Sequence, residues 1–189
     1  DVEASQKQNR DYIRLWYLKK DYAKVTGYAA PLKPAAINDA WTAYRIGEAY
    51  YQTGQQPAAL PWYKRATEIW KYSPDFQNKY GTCLLATGNV AEAQKVFAFV
   101  LEQNRNHVSA CTNLGFIYMQ QGSNTMAYDL LMRANTLDPD HEQNLINLAV
   151  WHYKNQQFPM AKKRLEHLLR KHPANEQAKA MLLDLEGMR

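Results

Sequence analysis

The sequence has few of the residues that mark several common protein classes. Two cysteines in 189 residues cannot hold together a disulfide scaffold. Glycine and proline contribute only eight residues each, which excludes collagen-like and low-complexity chains. The longest uninterrupted apolar run, residues 96–101, is too short to cross a membrane. Hydrophobic residues nevertheless make up 46% of the chain, which is enough to bury a core and excludes an intrinsically disordered protein.

Motifs of the common enzyme classes are also missing from the sequence. It contains no glycine-rich phosphate loop, no G-x-S-x-G nucleophile turn and no H-E-x-x-H metal motif. The five histidines are scattered, with His167 and His172 five residues apart, so no metal site and no cofactor are predicted. The sequence therefore argues against an enzyme and offers no catalytic residue.

The glycines mark an internal repeat. Six of the eight form pairs whose members are seven residues apart, and successive pairs are 34 residues apart: Gly47/Gly54, Gly81/Gly88 and Gly115/Gly122. The same period places a large apolar residue after each first glycine, at Tyr63, Phe97, Leu131 and Leu165, and an alanine at Ala59, Ala93, Ala127 and Ala161. So many agreeing positions without an insertion establish a 34-residue repeat. The second glycine of each pair is predicted to end a helix where the chain reverses.

The repeated residues resemble the tetratricopeptide repeat, W-x2-L-G-x2-Y followed by A-x3-F and P. The copy at residues 108–141 shows the resemblance best, with Leu114-Gly115, Tyr118, Ala127 and Pro139 in place. Other positions depart from the family pattern. The tryptophan position holds Ala43, Gln77, Cys111 and Leu145, and the repeat-ending proline is replaced by Lys71 and Arg105 in two copies.

This resemblance implies an all-α fold, a right-handed α-solenoid of antiparallel helix pairs. We expect a single domain over residues 1–189, with repeats at 40–73, 74–107, 108–141 and 142–175, a degenerate repeat at 6–39 and a capping helix at 176–189. Pro31 and Pro34 should end the second helix of the degenerate repeat early. Cys83 and Cys111 fall at positions where small buried residues belong, so both are interpreted as packing groups.

In the family, the first helix of each repeat lines a concave groove that binds partners. One position often holds an asparagine that contacts a peptide backbone, and here it runs Arg45, Lys79, Asn113 and Asn147. Neighbouring positions add amide, hydroxyl, aromatic and methionine side chains, which suit adaptable contacts: Tyr44, Asn78, Thr112, Tyr51, Phe116, Met119 and Tyr153. These eleven residues are the predicted partner-binding site. The alternative is that they are ordinary solvated side chains. Glu48 is expected to face the groove alone.

The partner class follows from the same positions. The family's clamp for a chaperone's C-terminal carboxylate needs cations, which are absent at Asn78, Thr82, Asn113, Gln143 and Asn147. Arg45 and Lys79 instead favour a protein or peptide partner with acidic character. Two alternatives stay open, an accessory domain of a larger enzyme or bacterial envelope assembly factor, and a nucleic-acid-binding helical repeat.

The nucleic-acid alternative rests on a pI near 9.1 and on the basic cluster Lys162, Lys163, Arg164, Arg170 and Lys171. These cations alternate with apolar residues, as a solvated outer helix face should, so a nucleic-acid partner is disfavoured. A chain that begins at Asp1 is expected to be a soluble fragment or processed product of a longer bacterial protein. The sequence does not distinguish cytoplasm from periplasm.

Overall fold

The computed structural model describes residues 2–187, which form eleven α-helices and one 3₁₀ turn. They fall into two compact units, Asp1–Gln103 and Asn104–Arg189. Within the described residues, no helix has both the length and the apolar character needed to cross a membrane.

The first unit contains six α-helices that pack as consecutive pairs. The helix bounds are α1 Val2–Leu18, α2 Tyr22–Ala29, α3 Ala40–Gln52, α4 Gln56–Ile69, α5 Pro74–Ala86 and α6 Val90–Gln103, with a 3₁₀ turn at Pro34–Ala36. Helix α2 ends before Pro31, as the prolines predict. Its buried Val25 and Ala29 join Ile13, Ile46 and other side chains in one apolar cluster.

The second unit contains two helix pairs and a final unpaired helix. The bounds are α7 Val108–Gln120, α8 Asn124–Leu137, α9 Glu142–Lys154, α10 Phe158–Lys171 and α11 Glu176–Gly187. Ala178, Met181 and Leu182 of α11 pack on the apolar cluster around Leu145 and Leu165. Leu183 on the same helix is 68% exposed. The division into repeats and the capping role of α11 stay predictions.

The turn inside each helix pair has the same backbone geometry. Gly54, Gly88 and Gly122 have φ of +77°, +81° and +77°, the left-handed region in which glycine is unstrained, so the prediction for the second glycines is confirmed. Lys20 and Gln156 lie 34 residues before and after this series and have φ of +56° and +59°. The first and last pairs therefore make the same turn with residues that strain it.

A second periodic feature, not anticipated from the sequence, begins the first helix of each later pair. Asp39, Ser73, His107, His141 and Asn175 are 34 residues apart, and each side chain accepts a hydrogen bond from the backbone N–H three residues on. These are helix N-caps, which satisfy a donor that the helix cannot pair. Two of the histidines interpreted as scattered therefore have a capping role.

Close packing explains the first glycine of each pair. A Cβ on Gly81 would lie 2.7 Å from the Phe97 ring, and one on Gly47 would lie 3.0 Å from Tyr63. Phe97 and Tyr63 are fully or almost fully buried. The small residue thus lets the two helices of a pair approach, and the large one fills the space between them.

Candidate functional site

The predicted site residues lie on the first helices of four pairs. The first unit holds Tyr44, Arg45 and Tyr51 on α3 and Asn78 and Lys79 on α5. The second unit holds Thr112, Asn113, Phe116 and Met119 on α7 and Asn147 and Tyr153 on α9. We describe the two groups separately.

A buried carboxylate lies at the centre of the first group. Glu48 is only 5% exposed. Its Oε2 accepts a hydrogen bond from Tyr63 Oη at 2.7 Å and lies 3.0 Å from Lys79 Nζ, and its Oε1 accepts from Gln52 Nε2 at 2.7 Å. The expectation that Glu48 stands alone was wrong, because helices α4 and α5 both supply it with partners.

These contacts keep Glu48 ionised. Burial raises the pKa of its carboxyl, but the hydrogen bonds from Gln52 and Tyr63 and the charge of Lys79 together lower the pKa below its usual value. The Tyr63 pKa is raised, first by burial and then by the Glu48 charge. Lys79 keeps 38% of its side chain exposed, so it can contact solvent or a partner while neutralising Glu48.

Aromatic rings form a layer beside this network. Tyr44 stacks on Phe76 with ring centroids 4.9 Å apart, and it meets Tyr63 edge-on at 5.8 Å. Tyr51 packs against the other side of Tyr63 at 6.4 Å. Such pairs hold rings in defined orientations. Tyr44 and Tyr51 are therefore fixed surfaces that are half-buried.

Arg45 lies one residue further along α3 and is also half-buried. Its guanidinium carbon is 5.7 Å from the centre of the Trp41 ring, a cation–π contact, and Trp41 is itself 46% exposed. Burial lowers the pKa of Arg45, the nearby Asp39 opposes this change, and the nearby Arg14 adds to it. The arginine thus lies in a positive environment beside an open aromatic ring.

Asn78 differs from its neighbours in the first group. It is 7% exposed, and its Oδ1 has no hydrogen-bond partner among the described residues. Its side chain offers a partner little surface, so it does not form part of the accessible site.

The second group is built from neutral polar contacts. Asn144, buried on α9, donates from Nδ2 to the Leu131 carbonyl at 3.0 Å and accepts from Thr112 Oγ1 at 3.4 Å. Asn147 donates to the Thr112 carbonyl at 3.5 Å and accepts from Gln143 at 3.1 Å. The predicted residues Thr112 and Asn147 therefore join α7 to α9 instead of facing solvent.

The remaining members of the second group differ in exposure. Met119 is 4% exposed and belongs to the interior. Asn113 and Phe116 are half-buried, and Tyr153 is 37% exposed with its ring 5.6 Å from Phe158. Of the second group, these three present surface to a partner.

Sequence reasoning missed Glu48, Tyr63 and Asn144 as the residues that organise the two groups. Glu48 lies between Gly47 and Ala49, both buried, and this small apolar setting was the available signal that the carboxylate is buried. No comparable signal identified Asn144, because its partner is a backbone carbonyl.

The basic cluster on α10 is largely paired. Lys162 Nζ lies 3.0 Å from a Glu186 oxygen, and Lys171 Nζ lies 2.9 Å from Asp140, whose other oxygen is 2.7 Å from His167. These contacts lower the pKa of Asp140. The pairing agrees with the interpretation of this helix as a solvated face.

The reactive side chains do not assemble into a reaction centre. Within residues 2–187 no three histidine, cysteine or acidic side chains are placed to hold a metal ion. Cys83 and Cys111 are buried free thiols, in agreement with a packing role. Burial raises the pKa of Cys83 to about 11, so it is a poor nucleophile at neutral pH.

Comparison with known proteins places this geometry in a family. A family model of the tetratricopeptide repeat matches residues 42–69 and 108–141. Curated protein sequences give no significant match.

Solved structures share the fold at low sequence identity. A thermophilic tetratricopeptide protein of Thermus thermophilus, TTC0263, has 14% identity and a TM-score of 0.73 over 95% of this chain and 97% of its own. Pseudomonas aeruginosa PilF has 15% identity and a TM-score of 0.73 over 97% and 86%. YrrB, a tetratricopeptide protein with an unusual peptide-binding site, has 16% identity and a TM-score of 0.67 over 95% of both chains. The helix-only architecture, the two matched repeats and these structural likenesses make the chain a tetratricopeptide repeat protein with the all-α solenoid fold.

Proposed function

We propose that the chain is a protein-interaction scaffold whose first helices bind an extended segment or a helix of a partner protein. One observation carries the proposal. Arg45, Lys79 and Asn113 recur at 34-residue intervals on α3, α5 and α7, and all three are half-buried, held by the fold with polar atoms left within reach of solvent. Residues at one repeat position face alike when the repeats share a backbone.

The accessible part of the proposed site is smaller than the set of eleven residues. Asn78, Thr112, Met119 and Asn147 are buried and support the fold. Tyr44, Arg45, Tyr51 and Lys79 remain in the first unit, and Asn113, Phe116 and Tyr153 remain in the second.

The remaining side chains suit a polypeptide. Cations can pair with acidic side chains or peptide carbonyls, the Asn113 amide can both donate and accept, and the aromatic rings offer apolar contact. Because a flexible segment loses entropy on binding, we expect affinities on the order of micromolar, about −8 kcal/mol. YrrB, described as carrying a peptide-binding site, supports the view that this fold can take such a ligand.

The test is affinity capture with a matched control. The tagged chain is cross-linked in extracts of its own source, captured partners are identified by mass spectrometry, and one partner is then purified. The variant Arg45→Ala/Lys79→Ala/Asn113→Ala should lose at least about tenfold in affinity for it, because it lacks two charged contacts and one amide contact.

The control is Lys64→Ala/Lys95→Ala/Asn106→Ala, which removes similar polar residues from exposed positions. It should bind like the parent chain, and both variants should keep the parent's helical circular dichroism. Equal binding by the two variants would contradict the site.

A further inference from the structure

A cleft of ≈ 360 Å³ lies between α1 and α3 in the first unit. Four cations line it, Lys7, Arg10 and Arg14 from α1 and Arg45 from α3. Positions 7, 10 and 14 are three and four residues apart, so they share one face of the helix. Of these four residues, the sequence assigned only Arg45 to a binding site.

The positive charge of the cleft is not balanced by its acidic residues. Two carboxylates line it, Asp11 and Asp39. Asp39 is already engaged as the N-cap of α3, accepting hydrogen bonds from both the backbone N–H and the hydroxyl of Thr42. A net positive cleft attracts and orients an anionic group of a partner.

The cleft also contains an open aromatic surface. Trp41 lines it, is 46% exposed and lies under the Arg45 guanidinium. Arg14 and Arg45 are close enough for Arg14 to lower the pKa of Arg45, so the two cations repel each other. An anion placed between them would relieve this repulsion, while Trp41 would contact the apolar part of the same ligand.

The two carboxylates favour a peptide over a nucleic acid. A nucleic-acid strand carries a negative charge on every residue, and some of these charges would meet Asp11. A peptide has neutral amide groups between its acidic side chains, and its backbone N–H groups can donate to a carboxylate such as Asp11.

We infer that this cleft binds an acidic segment of a partner protein, with Arg10, Arg14 and Arg45 contacting its carboxylates and Trp41 contacting its apolar stems. The inference rests on the proposed function and adds the chemistry of the partner and the α1 residues to it. Arg10 and Arg14 belong to the region expected to be a degenerate repeat, which thereby gains a binding role.

The experiment measures fluorescence anisotropy of a fluorescein-labelled oligoglutamate peptide titrated with the full chain. Arg10→Gln/Arg14→Gln should weaken binding about tenfold, since two charged contacts are lost. The control Lys64→Gln/Lys95→Gln removes the same net charge from exposed positions on α4 and α6 and should change the dissociation constant less than about twofold. Raising the salt from about 0.1 M to about 1 M should weaken binding to the parent chain.

Three results would overturn the inference. They are no binding of oligoglutamate to the parent chain, equal weakening by the cleft variant and the control, and equally tight binding of a single-stranded RNA of the same charge. If partner capture fails for the Arg45→Ala/Lys79→Ala/Asn113→Ala variant but persists for Arg10→Gln/Arg14→Gln, the proposed function stands and the cleft assignment is wrong.

Discussion

The two units solve the same problem, joining neighbouring helix pairs through polar contacts, in chemically different ways. In the first unit the centre is an ionised side chain, Glu48, with Tyr63 and Lys79 as partners from the next two helices. In the second unit it is a neutral amide, Asn144, which bonds to Thr112 and to a backbone carbonyl. The helix-pair architecture thus tolerates either a charged or a neutral polar interior.

This difference extends to the surfaces that the units offer a partner. The first unit presents Arg45 and Lys79 among aromatic rings, and the second presents Asn113 with Phe116 and Tyr153. Charge gives the first unit salt-dependent attraction for an anionic segment, while amides give the second unit contacts that salt hardly changes. The units are therefore suited to different parts of one ligand, or to different ligands.

The largest expected effect tests what the units have in common. Phe97 and Leu131 occupy the same repeat position in the first and second unit, and both are 0% exposed. Phe97→Ala should lower the free energy of unfolding by about 3–5 kcal/mol and Leu131→Ala by about 2–5 kcal/mol, because each leaves a cavity against a helical glycine. Urea denaturation followed by circular dichroism measures both.

Exposed positions two residues away from these side chains provide the control. Lys95→Ala and Arg133→Ala should change stability by less than about 0.5 kcal/mol. If either large-to-small variant were as mild as its control, the two units would not share one packing scheme.

The next effect tests how the units differ. Glu48→Gln and Asn144→Ala should each cost about 1–3 kcal/mol near neutral pH, since each disturbs buried hydrogen bonds. Their pH dependence should separate them. The folded pKa of Glu48 lies below its unfolded value, so its stabilising contribution is present above the unfolded pKa and is lost as pH falls through the folded pKa. Asn144 does not titrate.

Urea midpoints measured from neutral pH down to the onset of acid unfolding decide between these behaviours. The difference between the parent chain and Glu48→Gln should shrink as pH falls, and the difference between the parent and Asn144→Ala should stay constant. A constant Glu48→Gln difference would mean that the carboxylate is not ionised in the folded chain and that the two networks are alike.

The fold was accessible from the sequence because its signals are local and periodic. The spacing of Gly47 from Gly54 recurs with the 34-residue step, and a glycine that admits a close helix or a left-handed turn has few substitutes. The N-cap position was equally periodic, but it accepts Asp, Ser, His and Asn. Because no single residue type marks it, counting identical residues did not reveal it.

The candidate site was less accessible for a physical reason. Helical periodicity tells which face a residue occupies, but exposure within that face depends on neighbours distant in sequence. Asn147 and Asn113 share a repeat position, yet the first is 3% exposed and joins two helices while the second is half-buried. Likewise, the partners of Glu48 come from residues 63 and 79, which no local pattern connects to it.

The smallest effect compares the units at their turns. Lys20 and Gln156 are exposed residues in the left-handed conformation that glycine occupies at the matching turns, so Lys20→Gly and Gln156→Gly should each raise the free energy of unfolding by about 0.5–1 kcal/mol. The reverse change, Gly88→Ala, should cost about 1 kcal/mol, since no neighbouring atom crowds an added Cβ there and only backbone strain opposes it. Urea midpoints of the three variants make the measurement. Because the turn geometry is the same in both units, the two gains should be equal within error, and a gain in one unit alone would show that its turn is held by contacts other than the backbone's own preference.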